Sequence, residues 1–146
     1  MKANELMTKG PACVGPTDSV QRAAQLMEEH DCGCIPVVES NGSRRVVGVI
    51  TDRDIALRGV ARGRTADSMV RDLMTSDVAS CSPDTDVDQV TRVMADRQIR
   101  RVLILNADGG CAGIVAQADL ARAAERRGEV SEQEVARVVE RISEPA

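Results

Sequence analysis

The sequence predicts an α+β (α/β) fold of two β-α-β-β-α units packed face to face, followed by a C-terminal helix. Three observations predict it. First, the chain repeats itself. Glu5–Thr8 (ELMT) recurs as Asp72–Thr75 (DLMT), an offset of 67 residues, and Ala12, Pro16, Val20 and Met27 meet Ala79, Pro83, Val87 and Met94 in the same register. Second, each copy combines helical spacing with strand-length apolar runs. Third, a unit of about 55 residues buries too little surface alone, so two copies are expected to share a core.

Each copy opens with a short extended piece, Ala12–Val14 or Ala79–Cys81. A helix follows, opening near Asp18 with Gln21 three residues on, a capping-box-like start. Val20, Ala23, Ala24 and Met27 fall at i, i+3, i+4 and i+7, and Val87, Val90 and Met94 repeat the stripe. Two strand-like runs come next, around a turn containing Asn41-Gly42 in copy one and Asp108-Gly109 in copy two. The turn of copy two is two residues shorter, so Gly48–Ala56 (GVITDRDIA) meets Gly113–Ala121 (GIVAQADLA) at an offset of 65. A second helix starts at Thr51 or Ala116. In the tail, Ser131–Glu134 (SEQE) reads as a capping box, and Val135, Val138, Val139 and Ile142 form a stripe to dock on this chain or a dimer mate. The expected boundaries are 1–60 for unit one, 61–70 for a connector, 71–126 for unit two and 127–146 for the helical tail.

Composition narrows the function. The 146 residues are 42% hydrophobic and 29% charged, with a net charge of −4 and no Phe, Tyr or Trp. The core must be aliphatic, and base stacking on aromatic side chains is excluded. No nucleic-acid partner and no membrane partner are expected. The N-terminal MKANELMTKG has no apolar stretch of the secretory kind, and five cysteines are an odd number for a disulfide framework. Reduced thiols and a cytoplasmic location are the expectation.

The LMT openings, the PxxxV helix starts and the GhhTxxD ending (Gly48–Asp54), in this order and in duplicate, resemble a tandem pair of CBS domains, also called a Bateman module. The resemblance runs from about Glu5 to Ala124. It implies units arranged around a pseudo-twofold axis, homodimers, and clefts between repeats for an adenosine-containing ligand: AMP, ADP, ATP, NAD or S-adenosylmethionine. It also implies a regulatory role, with ligand-induced conformational change passed to an effector protein.

Read from spacing alone, Thr51 and Asp54 are a helix-capping pair, with Thr51 bonding backbone N–H and Asp54 favoured by the helix dipole. The resemblance adds a ribose-binding role for Asp54, with Thr51 touching sugar or phosphate. It places adenine against Cys13, Val14, Ile35, Pro36 and Val37. Arg53 is a candidate phosphate cation or a solvated helix-surface arginine. Pro36 alone is equally a strand-edge proline. In copy two the matching residues are Asp119, Arg101, Val102 and Cys81, and Arg100 with Arg101 suits either phosphate or salt bridges. There Ala116 replaces the threonine and Gln117-Ala118 replaces Asp52-Arg53. Losing one hydroxyl contact costs about 1 kcal/mol, up to about 3 if a partner is stranded, so the second site is expected to be weaker.

Catalysis is not expected. The chain has one histidine and no glycine-rich phosphate loop. His30 lies in Glu28–Cys34 (EEHDCGC), a stretch that supports a rival reading. In it, His30, Cys32 and Cys34, with Cys13, Cys81 or Cys111, form a metal or thiol-redox sensor. Against that, His30 suits a helix C-terminus, Cys32 falls opposite Ile99 and is expected to be a small buried hydrophobe, and Cys34 stands as a minor redox candidate. A purely structural dimer without ligand is the third reading.

Overall fold

The computed structural model describes residues 1–39, 42–127 and 132–143, with the side chains of 126 and 127 excepted. In chain order its elements are α1 (Ala3–Leu6), β1 (Thr8–Lys9), α2 (Val20–His30), β2 (Cys34–Val38), β3 (Val46–Thr51), α3 (Asp52–Asp54), α4 (Val70–Leu73), β4 (Ser80–Cys81), α5 (Val87–Arg97), β5 (Arg101–Leu105), β6 (Cys111–Ala116), α6 (Gln117–Arg127) and α7 (Glu132–Ser143). After α3 the backbone widens into a π-helical turn, Ile55–Gly59, and ends in a 3-10 turn, Val60–Arg62. Asn41 and Ser131, named above in the first turn and the tail cap, lie outside the described residues.

Two compact units form, and neither is a contiguous repeat. The first comprises Pro11–Val78 with Asp108–Cys111; the second comprises Met1–Gly10, Ala79–Ala107 and the chain from Ala112 onward. Each repeat's LMT opener is therefore exchanged into the unit that carries the other repeat's strands.

Paired hydrogen bonds show how the exchange is held. In the second unit the N–H groups of Ala3, Asn4 and Val87 donate to the carbonyls of Thr85, Pro83 and Met1 at 2.8, 3.0 and 3.0 Å. In the first unit the equivalent N–H groups of Val70, Arg71 and Val20 donate to Asp18, Pro16 and Ser68 at 2.9, 2.9 and 2.8 Å. Strand pairing repeats the relation: Thr8 pairs with Ile114, and Thr75 bridges to Val49. An ion pair, Lys2 Nζ to Asp86 Oδ1 at 2.7 Å, adds a further tie in the second unit, at a solvent-exposed position where such pairs contribute little.

Glycine makes the docking possible. A Cβ on Gly48 would lie 2.8 Å from the Thr75 carbonyl oxygen and 2.9 Å from Met74 Sδ. One on Gly113 would lie 2.6 Å from both Met7 Sδ and the Thr8 carbonyl oxygen. Gly48 and Gly113 thus mark where each opener's backbone crosses the strand without room for a side chain.

In the first unit, β2 and β3 pair antiparallel and the segment at Val14 joins β2 through a parallel bridge to Val37. Of the expected piece Ala12–Val14, only Val14 makes a ladder contact. Helix α2 covers this sheet with Val20, Ala23, Leu26 and Met27, and Val70 and Leu73 of α4 complete the core. Ala24, placed on the apolar stripe above, is exposed, and Leu26 takes the buried position instead. In the second unit the sheet order is β1-β6-β5-β4, with β4 parallel to β5. Its core is Val87, Val90, Met94, Val102, Ile104, Val115, Leu120 and Ala123, closed by Ala3 and by Val138 of α7. The tail helix packs on its own chain, with Val135 and Ile142 against that core and Val138 within it.

Helix starts and stops follow local chemistry. Ser19, not Asp18, is the N-cap of α2: its Oγ accepts the Arg22 N–H at 3.1 Å. The Asp18 carboxylate instead accepts the Gly15 N–H at 2.7 Å and closes the preceding turn. Helices α2 and α5 end on a residue in the left-handed conformation at matching positions, Asp31 (φ 49°) and Gln98 (φ 53°). The turn of copy two forms as its sequence predicts, with Gly109 at φ 84° and the Gly110 N–H on Asp108 Oδ1 at 2.8 Å.

Candidate functional site

Most of the candidate residues of copy one converge in the first unit. Register places Thr51 opposite Cys34 and Ile50 opposite Ile35, while the Val14 N–H donates to the Pro36 carbonyl at 3.1 Å and the Val38 N–H to Val14 at 2.8 Å. Strand β2 thus runs down the middle, with Val14 on one edge and Thr51 on the other. The side chains of Val14, Ile35 and Val37 belong to the core, and Pro36 is fully buried.

Thr51 and Asp54 form a reciprocal cap. The Asp54 N–H donates to Thr51 Oγ1 at 3.1 Å, and the Thr51 N–H donates to Asp54 Oδ2 at 3.0 Å. The carboxylate has two further neighbours. Thr75 Oγ1 lies 3.4 Å from both oxygens, and Arg58 Nε lies 3.8 Å from Oδ1. Those long contacts leave acceptor capacity, since an ionised carboxylate has roughly four lone-pair positions. Arg53 is exposed on the first turn. Sequence reasoning had used Thr75 only as a repeat marker and passed over Arg58. The signal for Thr75 was its place in the duplicated LMT, and docking of that opener on β3 brings it to Asp54.

Copy two reproduces the frame in the second unit with different chemistry. The Gln117 N–H donates to the Arg100 carbonyl at 2.9 Å, as the Asp52 N–H donates to Gly33 at 3.0 Å. Asp119 Oδ2 accepts the Ala116 N–H at 2.7 Å, while its other oxygen is held by Arg122, one helical turn on. Asp119 is the one buried charged residue among the described residues. Val102 is a core residue, Arg101 is partly buried at the start of β5, and Cys81 sits in β4 beside Ile104 with its thiol pKa raised by burial. The exposed Arg100 meets Gln117 through its backbone.

The cysteines do not gather as EEHDCGC suggests. Cys32 is exposed, which corrects the expectation of a buried hydrophobe. It precedes β2, in the turn after the left-handed Asp31, so it escapes the in-out alternation of the strand; its thiol donates to the Cys34 carbonyl at 3.8 Å. Cys34 is buried, and His30 is exposed in the last turn of α2. Among the described residues no three His, Cys, Asp or Glu side chains form a group able to hold a metal ion.

Cys13 stands in a different setting. Arg44 Nη2 donates to Cys13 Sγ at 3.5 Å and to the Pro11 carbonyl at 3.3 Å, and Arg44 Nε donates to the Cys111 carbonyl at 3.4 Å. The Cys111 thiol hydrogen-bonds to Cys13. That bond, together with the Arg44 charge and against the cost of burial, lowers the Cys13 pKa to about 7. Cys111, the donor, has its pKa raised by the same bond and by burial.

Comparison with known proteins agrees with this architecture. The family model CBS domain matches residues 3–59 and again 70–126. The CBS domain-containing protein YhcV of Bacillus subtilis is 40% identical over 117 residues, 80% of this chain and 81% of that protein. Hypoxic Response Protein I, solved with two coordinated zinc ions, superposes with a TM-score of 0.74 at 32% identity, covering 84% of this chain and 98% of that one. Two solved proteins at 26% identity carry adenosine compounds. The CBS pair of MJ0100, in complex with 5'-methylthioadenosine and S-adenosyl-L-methionine, has a TM-score of 0.75 over 84% of this chain and 94% of its own. CBSX2 in complex with AMP has a TM-score of 0.74 over 88% and 98%. No helix among the described residues is long and apolar enough to cross a membrane.

Proposed function

The chain belongs to the CBS-domain family, and from that premise we propose that it is a non-catalytic regulatory module that binds an adenosine-containing ligand at Thr51 and Asp54. The observation that carries this reading is the Asp54 carboxylate. It is oriented by Thr51 and has only long contacts, to Thr75 and Arg58, on its remaining lone pairs. A ribose diol is the chemistry that such an acceptor takes, by displacing the Thr75 hydroxyl. AMP and S-adenosylmethionine are the first compounds to test, because relatives in the family carry AMP, 5'-methylthioadenosine or S-adenosylmethionine. ADP, ATP and NAD follow. The site at Asp119 is weaker, since Arg122 already occupies its second oxygen and Ala116 supplies no hydroxyl. Binding shifts a conformational equilibrium by at most the ligand's differential affinity for the two states, and a separate effector protein or a second copy of the chain reads it.

A thermal-shift series with the five compounds tests the reading. A ligand at 100 times its Kd stabilises the folded state by about 2.7 kcal/mol. Asp54→Ala is expected to remove the largest shift, and Asp54→Asn to weaken it. Absence of any shift, or a shift unchanged by both variants, would refute the assignment. Zinc found in stoichiometric amount by elemental analysis would favour the metal-sensor reading instead.

A further inference from the structure

We propose that Cys13 and Cys111 are an oxidation site: a hydroperoxide oxidises Cys13, Cys111 resolves it, and the pair closes to a disulfide. Cys13 and Cys111, far apart in sequence, meet in the first unit at the side chain of Arg44. Backbone bonds hold the Cys111 segment there: the Cys111 N–H donates to the Arg44 carbonyl at 2.9 Å, the Val46 N–H donates to Gly109 at 3.1 Å, and Arg45 bridges to Gly110. Arg44 then brackets the pair, its guanidinium on the Cys13 sulfur at 3.5 Å and on the Cys111 carbonyl at 3.4 Å. The duplicated fold does not require this arrangement. Ser80 and Val46 stand at the equivalent positions, so the pair and its cation are particular to one unit.

The roles divide by proton affinity. Cys13, partly buried beside a fixed cation, is the thiolate and hence the nucleophile; Cys111 keeps its proton and donates it. The Cys13 sulfur attacks the hydroperoxide, forming an S–O bond as the O–O bond breaks, and the alcohol or water leaves with a proton. The Cys111 sulfur then attacks the sulfenic acid, forming the S–S bond, and the released hydroxide takes the Cys111 proton as water. Two thiols lose two electrons to one peroxide. Bonding requires the sulfurs to close to about 2.05 Å. A dithiol reverses the reaction by exchange.

The reduced full-length chain, treated with hydrogen peroxide and then with N-ethylmaleimide, tests the inference by mass spectrometry. Three of the five cysteines are expected to take the label, with a Cys13–Cys111 cross-linked peptide that dithiothreitol abolishes. Retention of five labels, or a cross-link through Cys32, Cys34 or Cys81, would overturn it. Cys111→Ser should trap a dimedone-reactive sulfenic acid on Cys13, whereas Cys13→Ser should leave Cys111 unmodified; the reverse assignment would overturn the roles. Arg44→Gln should slow oxidation about fivefold near pH 7 through loss of the thiolate's cation. None of these readouts involves a nucleotide, so failure of the adenosine site would leave this inference intact, and the converse also holds.

Discussion

Replacing Gly48 with Ala tests the exchanged architecture most directly. The added Cβ would stand 2.8 Å from the Thr75 carbonyl oxygen and 2.9 Å from Met74 Sδ. Met74 can swing aside, but the Thr75 backbone cannot readily do so. It is clamped to Val49 by reciprocal bonds of 2.9 and 2.8 Å. Overpacking of this kind costs about 1–3 kcal/mol. Alanine also restricts the unfolded chain, which returns about 0.4–1 kcal/mol where the new residue fits the native backbone. A net loss of about 1–2 kcal/mol follows, equivalent to a fall in Tm of about 3–8 °C for a chain of this size. Denaturant and thermal unfolding followed by circular dichroism would measure it. Adding Met74→Ala should recover only part of the loss, since the backbone contact remains. A single variant as stable as the parent would refute the reasoning, because the opener could not then be packed against β3 at this glycine.

Three further outcomes follow from the same structure. Ser19→Ala should cost about 0.5–2 kcal/mol by removing the α2 cap, and Asp18→Ala should leave helix content unchanged; denaturant midpoints with far-ultraviolet circular dichroism separate the two. Iodoacetamide alkylation of Cys13 should rise with pH through a midpoint near 7, because the thiolate is the reactive form and is present above its lowered pKa; a midpoint at or above about 8.5, the value of an unperturbed thiol, would contradict the setting around Arg44. Arg122→Ala should free one Asp119 oxygen and tighten ligand binding at the second site severalfold in calorimetry, while leaving the Thr51 site unaltered.

Much of the fold was legible in the residues. The duplication, the change of offset from 67 to 65 and the Asp108-Gly109 turn are translational patterns, and the structure keeps each of them. The reciprocal cap of Thr51 and Asp54 was readable as well, because capping depends on residue types three apart and on nothing distant. Where two neighbouring residues are equally good caps, that logic fails. Asp18 and Ser19 both qualify, and the choice fell to the Gly15 N–H, which claimed the aspartate. Cys32 misled for a related reason: alignment with Ile99 assigned it a side-chain role, but β2 begins two residues later, so periodicity does not apply to it.

The sequence by itself determined that there are two similar units, where the main helix and the two paired strands of each one run, and that a carboxylate sits three residues after each strand end. These follow from near-neighbour chemistry and from a repeat that reads the same wherever the pieces dock. Only the tertiary structure decided which opener joins which strands, and with it the approach of Thr75 to Asp54 and of Cys111 to Cys13. An offset of 67 is satisfied equally whether Leu-Met-Thr docks on its own repeat or on the other. Long-range hydrogen bonds and the space at Gly48 and Gly113 break that tie, and neither is written in the local spacing of residues.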